Sequence, residues 1–409
     1  MSGEEQQARV VGLDIGTSKV AAVVGEVQAD GRLEVIGIGT HSSHGLKEGV
    51  VVDIESTVQS IQRAVEQAEL IADCAIDSVY AGIAGSHIRS LNSHGIVAIR
   101  DREVTAHDVD RVIDAARALA IPADQKVLHV LPQEYVIDNQ EGVKQPIGMS
   151  GVRLEARVHV ITCALNAAEN IEKCIARCGL KVHDLILEQL ASASACLTDD
   201  ERELGVCLID IGGGTTDVAV FCHGAIRHTA VVPIAGDRIT RDIAVVLRTP
   251  SKDAEEIKIR YACAVPALVA GTEDIKVPAV GNRAARDLSR QTLAEVVRAR
   301  YEEIFQFVQT ELRRSGFEPL VASGIVLTGG SAKMEGVGEL AEEVFNMPVR
   351  IGVPSAAHGL RDLLENPVYS TGVGLMMYGN TAREVRATTH RFAGEGLLAR
   401  IRQRLGDFF

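Results

Sequence analysis

The sequence predicts an α/β protein of two similar lobes, with a small α+β unit inserted in the first. Three observations carry this. The chain has 409 residues, more than one hydrophobic core usually serves. A strand that ends in aspartate and a glycine turn occurs twice, as Val10-Val11-Gly12-Leu13-Asp14-Ile15-Gly16 and as Val206-Cys207-Leu208-Ile209-Asp210-Ile211-Gly212, which marks an internal duplication. Between the copies, the stretch from Gly85 to Thr162 has its own short strands, one helix and its own Gly/Pro turns.

Taken in order, strands are expected at Val10–Ile15, Val20–Val27 and Leu33–Gly39, a meander turned at Gly16-Thr17-Ser18 and Asp30-Gly31. Glu55–Ala72 reads as a helix because Val58, Ile61, Val65, Ala68 and Ile71 share one face at helical spacing. A strand follows at Ser78–Ala84. The insert contributes strands Gly95–Ile99, Val127–Ile137 and Leu154–Ile161 around helix Asp108–Leu119. Helices Ala167–Cys178 and Leu185–Leu197 lead to strands Val206–Ile211 and Val218–Cys222. Asp237 to Leu312 is helix-rich, with Leu293, Val296, Val297, Tyr301, Ile304, Phe305 and Val308 in helical period. Strand Ile325–Leu327 ends in Thr328-Gly329-Gly330-Ser331. The expected division is a first lobe at 8–84 and 163–197, the insert at 85–162, a second lobe at 198–235 and 313–378, and a helix-rich outer subdomain at 236–312. A polar linker at 379–394 and an amphipathic helix at 395–409 complete it.

A net charge of −13 disfavours nucleic acid as a partner, which calls for a basic face. The eight cysteines fall in apolar strands and helices without paired CxxC spacing, which excludes a zinc site of that type and suits buried, reduced thiols. The N-terminus has no apolar signal region, and no apolar run reaches the roughly 20 residues that span a bilayer. The expectation is a cytoplasmic protein whose membrane attachment, if it has one, is peripheral.

The two repeats carry the chemistry. Adjacent phosphates need backbone N–H groups packed closely, which glycine permits because it has no Cβ, and oxygen ligands for their magnesium ion. Asp14, Gly16, Thr17, Ser18 and Lys19 supply one such turn; Asp210, Gly212, Gly213, Gly214, Thr215 and Thr216 supply the other. Asp14 and Asp210, at matching strand ends, suit a magnesium ion held through its waters. Either turn alone is equally well a plain hairpin. Both in order, with the third turn Gly329-Gly330-Ser331, point to a nucleotide. Neither the Walker A loop nor the Rossmann fingerprint is present in its required context.

These turns resemble the phosphate 1, phosphate 2 and adenosine motifs of the actin/Hsp70/sugar-kinase ATPases. That resemblance implies an actin-like two-lobed ATPase fold that binds ATP and magnesium, with Gly236 and Lys258 beside the nucleotide. It also implies a helix joining the lobes at Leu187–Ala193, on which Glu188 or Gln189 faces the attacking water. Both remain open, as does an ordinary surface carboxylate at Glu188. Gly82-Ile83-Ala84-Gly85-Ser86-His87-Ile88, Leu131-Pro132-Gln133-Glu134-Tyr135 and the run from Gly151 to Thr162 resemble the FtsA family within that group. The resemblance implies a cell-division protein, at most a slow ATPase. Such a protein polymerises on the cytoplasmic face of the inner membrane at the septum, tethers the FtsZ ring by its C-terminal tail, and recruits other divisome proteins through the insert. Arg286, Arg298 and Arg300 are the basic candidates for the acidic FtsZ tail, against the plainer reading of a solvated helix face.

The C-terminal residues add a second signal. On a helical wheel of about 100° per residue, Leu397, Leu398, Ile401, Leu405, Phe408 and Phe409 share one arc, flanked by Arg402 and Arg404. The pattern is that of an interfacial helix on an anionic membrane surface, the alternative being a helix that packs on the body or a partner. A sugar-kinase-like phosphotransferase and a pilus-assembly actin homologue are the competing functions; neither accounts for this segment.

Overall fold

The computed structural model describes residues 8–28, 32–281, 284–355, 358–360 and 365–391. The first lobe opens with β1 (Arg9–Ile15), β2 (Lys19–Val27), β3 (Leu33–Ser42), the short pair β4 (Leu46–Lys47) and β5 (Val50–Val51), α1 (Ile54–Ala72) and β6 (Ser78–Ile83). The insert holds β7 (Arg89–Ala98), α2 (Ala106–Arg117), β8 (Gln125–Ile137), β9 (Gln140–Val143) and β10 (Arg153–Ala164). The chain returns through α3 (Leu165–Arg177), β11 (Lys181–Leu187) and α4 (Glu188–Cys196), then crosses to α5 (Asp199–Leu204), β12 (Val206–Ile211), β13 (Thr216–Cys222) and β14 (Ala225–Val232). The second lobe continues with α6 (Gly236–Val246), α7 (Ser251–Tyr261), the ribbon β15 (Asp274–Val277) and β16 (Arg286–Ser289), α8 (Arg290–Ser315), β17 (Ile325–Thr328), α9 (Val337–Phe345) and β18 (Val349–Ile351). The last described elements are β19 (His358–Gly359) and α10 (Ser370–Arg391).

The duplication is visible in the pairing. In the first lobe β1 pairs antiparallel with β2 and parallel with β6, within the order β11-β6-β1-β2-β3-β19. In the second, β12 pairs antiparallel with β13 and parallel with β17, within β14-β13-β12-β17-β18. β1 and β12 are therefore interior strands, and their near-continuous apolar runs are buried on both faces. Each carries its aspartate one residue before its end, followed by a buried isoleucine (Ile15, Ile211) and then the glycine turn. The insert forms its own sheet, β7-β10-β8-β9, with α2 on one face. Its core joins Val109, Val112 and Ile113 of α2 to Leu154, Ala156, Val158 and Val160 of β10, the alternate positions of one strand face.

Local chemistry sets the helix ends. The Asp53 carboxylate accepts the Glu55 and Ser56 N–H groups to start α1, and Asp73 in the left-handed region ends it. Thr105 and Asp108 form a reciprocal capping box at α2.

Several expectations need correction. Residues 185–187 belong to β11, not to a helix: they pair parallel with β6, and the helix begins only at Glu188. β14 had no periodic signal to announce it, and the outer subdomain holds the β15–β16 ribbon besides its helices. Ile71 is 47% exposed, outside the buried stripe of α1. The largest revision is at the C-terminal end. Helix α10 runs unbroken through Arg391 where a linker from 379 was expected, and it packs on α4, β1, β2 and β6. Val373, Leu375, Met376, Tyr378 and Ala382 join the first-lobe core, so these residues close the first lobe, not the second. Gly379 lies inside the helix and marks close packing, not a helix stop: a Cβ there would lie 2.4 Å from the Tyr80 ring. The predicted turn at Asp30-Gly31 lies outside the described residues.

Helices α4 and α10 join the lobes through small residues. A Cβ on Gly374 would lie 1.8 Å from the Ala191 carbonyl oxygen, so Gly374→Ala should destabilise by about 1–3 kcal/mol through overpacking. Gly338 in α9 has open space around it, and Gly338→Ala should stabilise by about 0.5–1 kcal/mol. Chemical denaturation of the two variants checks the opposite signs.

Candidate functional site

The two glycine turns meet. Residues Asp14–Lys19, Gly49, Ala84, Glu188, Asp210, Gly212–Thr215, Asp217, Gly329, Gly330, Val368 and Thr371 line one cavity of about 150 Å³. The approach is close: a Cβ on Gly213 would fall 1.8 Å from the Ser18 hydroxyl, and one on Gly214 would fall 2.5 Å from that of Thr17. A side chain at either position would have to displace Ser18 or Thr17. Ser18 donates to Asp237 Oδ1 (3.0 Å) and Arg238 reaches Glu48 Oε1 (3.3 Å), so two polar contacts tie the lobes across the cleft. Thr17 Oγ1 accepts the Gly49 N–H at 3.1 Å. A larger depression of about 700 Å³ opens beside β11 and α3, lined by Lys126, Glu172, Lys181, His183 and Asp184 among others. There Lys126 already pairs with Glu172 and the charges cancel, so convergent chemistry belongs to the smaller cavity.

That cavity is strongly acidic. Asp14, Asp210 and Asp217 are 6%, 7% and 4% exposed, and Glu188 projects among them from the first turn of α4. Lys19 is the cation that answers them. Its Nζ donates to Asp14 Oδ2 (3.1 Å) and to the Val368 carbonyl (2.8 Å), over the face of Tyr369. Asp210 is pinned by the hydroxyls of Ser192 on α4 (2.5 Å) and Thr371 on α10 (3.3 Å). Burial, with Asp14 nearby, pushes Asp210 up to about 6. Burial and the neighbouring Asp210 push Asp217 up to about 7. Glu188 is held well above the carboxylate range by burial and then by the charges of Asp14, Asp217 and Asp210.

These residues fit a magnesium–nucleotide. Clustered carboxylates with raised affinity for protons will accept a cation in their place, Asp217 Oδ1 is buried without a partner, and the glycine turns leave backbone amides close to the cavity. Asp14 and Asp210 stand at matching strand ends, as a water-bridged ion requires. Of the two neighbours on α4, Glu188 lines the cavity, whereas Gln189 is fully buried with neither amide atom hydrogen-bonded.

The remaining expected residues divide. Gly236, Lys258 and Ser331 converge beside the cavity: Lys258 Nζ donates to the Gly236 carbonyl (3.2 Å), and Ser331 Oγ to that of Gly212 (2.9 Å). Lys258 is also paired with Glu255 at 2.7 Å. Thr216 is set apart, its hydroxyl donating to Ile234 O at 2.7 Å. The three arginines do not form a free basic patch. Arg298 pairs with Glu302 and Glu343, Arg300 with Asp242 and Glu303, and Arg286 donates to the Leu247 carbonyl. The tail residues 397–409 lie outside the described residues. Among the described residues no helix is long and apolar enough to cross a membrane. The site also includes Ser192, Thr371, Glu48 and Asp217, which sequence reasoning did not single out. Only Asp217 carried a signal, as the acidic end of the second turn.

Comparison with known proteins agrees with this geometry. Residues 207–374 match the family described as cell division protein FtsA, and residues 85–162 match the SHS2 domain inserted in FtsA. The chain is 69% identical to the cell division protein FtsA of Pseudomonas aeruginosa, over 93% of this chain and 91% of that one. It is 52% identical to that of Escherichia coli K12, over 90% of each. A solved PilM–PilN type IV pilus biogenesis complex aligns over 91% of this chain and 99% of its own with a TM-score of 0.67 at 17% identity. MreB5 of Spiroplasma citri bound to ADP aligns over 93% and 98% with a TM-score of 0.55 at 16% identity. At such identities the likeness is one of fold, the actin-like fold.

Burial makes these acids oppose folding wherever no cation balances them. Asp217 ordinarily titrates near 3.8 and here near 7, so the folded chain binds its proton more tightly than the unfolded chain. Stability is then greatest below about pH 4 for this group and falls as pH rises toward 7. Asp217→Asn should remove that fall and, at pH 8 without ligand, stabilise the protein by on the order of 2–4 kcal/mol. Urea denaturation at pH 5 and pH 8 checks it; a variant less stable at pH 8 would show the carboxylate to be compensated in the native state.

Proposed function

The chain belongs to the FtsA family of cell division proteins, and on that premise we propose that it is an ATP-binding, actin-like adaptor that self-assembles on the cytoplasmic face of the inner membrane. There it tethers the FtsZ ring at the septum and brings in later division proteins. The observation that carries the reading is the meeting of the two glycine turns over three buried aspartates, with Glu188 and Lys19 beside them. The amides of 16–18 and 212–215 would bind phosphate oxygens, with Lys19 adding the positive charge. Asp14 and Asp210 would hold magnesium through its waters; when bound, that ion neutralises the phosphates. Gly236, Lys258 and Ser331 would flank the adenosine. Glu188, which lines the cavity, would orient a water toward the last phosphate. Its raised proton affinity makes it a poor base at neutral pH until a cation enters, which suits a slow ATPase and a nucleotide used as a conformational signal.

Attachment is assigned to the apolar arc of residues 397–409. One short helix binds weakly and reversibly, so assembly into a polymer and membrane binding reinforce each other. The internal pairing of Arg298 and Arg300 makes any acidic partner compete with Glu302, Glu343, Asp242 and Glu303, so docking on this face should be modest in affinity and sensitive to salt.

Two measurements test this. Magnesium–ATP should bind with release of a proton, and its affinity should rise about tenfold from pH 6 to pH 8 as the Asp217 proton ceases to compete; a flat profile would show that the buried acids do not face the ligand. Co-sedimentation with anionic liposomes should pellet the full chain and leave a chain ending at Gly394 in solution. If the shortened chain pellets equally, the tail is not the anchor.

A further inference from the structure

The insert touches both lobes at places that bear on the cleft. It is rooted in the first lobe, where His129 Nε2 on β8 accepts the Leu187 N–H at 3.1 Å. Leu187 directly precedes Glu188. Since an N–H can only donate, this imidazole is neutral; burial holds His129 near 4. The face of the insert sheet opposite α2 lies against β14, an edge strand of the second lobe. Side chains there stand in for a neighbouring strand. Ser90 Oγ donates to the Thr229 carbonyl (3.0 Å), Asn92 Nδ2 to that of Arg227 (3.3 Å) and Gln133 Nε2 to that of Ile226 (2.8 Å). His159, 1% exposed, completes the seam: Nδ1 donates to Asn92 Oδ1 (2.7 Å) and Nε2 accepts from Thr229 Oγ1 (3.0 Å). At the rim Lys144 pairs with Glu203 of α5 at 2.7 Å.

β14 is not remote from the site. It pairs along its length with β13, and β13 begins at Thr216 and Asp217, at the end of the second glycine turn. Besides the Ser18–Asp237 and Arg238–Glu48 contacts across the cleft mouth, the lobes are joined at α4 and α10. We propose that the insert is a strap between the lobes: the seam on β14 holds the nucleotide cleft closed, and anything that pulls the insert off β14 opens it. The proposal rests on the reading of the cleft as a nucleotide site. It follows physically because a rotation of one lobe against the other about α4 and α10 must either stretch the seam or carry the insert with it. Carrying the insert would strain the His129–Leu187 contact beside Glu188. A ligand of the insert that competes for Asn92, Gln133 or Ser90 would thereby change nucleotide residence without touching the nucleotide.

The test uses the full chain with Asn92→Ala/Gln133→Ala, and separately Lys144→Glu with and without Glu203→Lys. The second pair is exposed, so folding is safe. Release of a fluorescent ADP analogue is measured by stopped flow, and amide hydrogen exchange is followed in the nucleotide-free chain. Loss of the two hydrogen bonds to β14, together with the Asn92 acceptor that Gln133 and His159 share, should speed release at least about three- to tenfold, with faster exchange in 225–232 and also in 210–218 and 236–240. Lys144→Glu should act in the same direction and the charge swap should restore the parent rate. If exchange rises only in 225–232 while release and the 210–218 segment are unchanged, the seam is mere packing and the strap is wrong. If the parent chain binds no nucleotide, the nucleotide reading fails instead, and the strap is decided by the exchange at 210–218 alone.

Discussion

Four acids and one lysine are enclosed where two lobes meet, and the rest of the fold serves to hold them there. Asp14 comes from β1, Asp210 from β12, Asp217 from β13 and Glu188 from α4. No local segment would gather them, because like charges in a dry place repel and burial disfavours each one's ionised form. Two cores behind them impose the arrangement. Each aspartate stands at the end of an interior strand whose side chains are packed on both faces, so it cannot withdraw without moving a sheet. The joining helices supply the hydroxyls of Ser192 and Thr371 that steady Asp210. The same helices that connect the lobes thus pin the acid between them. Across the mouth, Ser18–Asp237 and Arg238–Glu48 act against the repulsion.

Much of this could be seen in the chain itself, for identifiable reasons. The repeated strand–aspartate–turn is local and strongly patterned, and both copies landed in one cavity. The insert stood out because its turn chemistry and short alternating strands differ from the long apolar runs around it. What stayed hidden was what depends on long-range partners. Ser192 and Thr371 look like ordinary helix residues until the helices cross at Asp210. β14 (Ala225–Val232) carries no period-two pattern of polar and apolar residues, and the side of it turned to the insert is covered by side chains, not by another strand. Leu185-Ile186-Leu187 suits a helix or a buried strand equally well on periodicity, and pairing with β6 decided it. Near the C-terminal end, a glycine and polar residues suggested a linker, but Gly379 is there to admit Tyr80. Arg298 and Arg300 were visible as charges, while their acidic partners lie as far along the chain as Asp242 and Glu343.

The insert also solves a problem of sheet edges. β14 is the edge of the second-lobe sheet, and an open edge invites pairing with another chain. Amide and hydroxyl side chains from β7 and β8 occupy three of its carbonyls. Side chains cap an edge without extending the sheet, and they can let go of it at far lower cost than a paired strand.

Helix α10 has a geometric consequence of its own. Thr371, in its first turn, touches Asp210, and the helix runs straight on to Arg391. At 1.5 Å per residue, the 20 residues between them make a rod about 30 Å long. Asp210 and the far end of the helix, the root of the residues that follow, are thus the two ends of one ruler. A tilt of the rod by about 5° would shift its far end by roughly 2–3 Å. Small rotations at the acid would be read at the root as displacement.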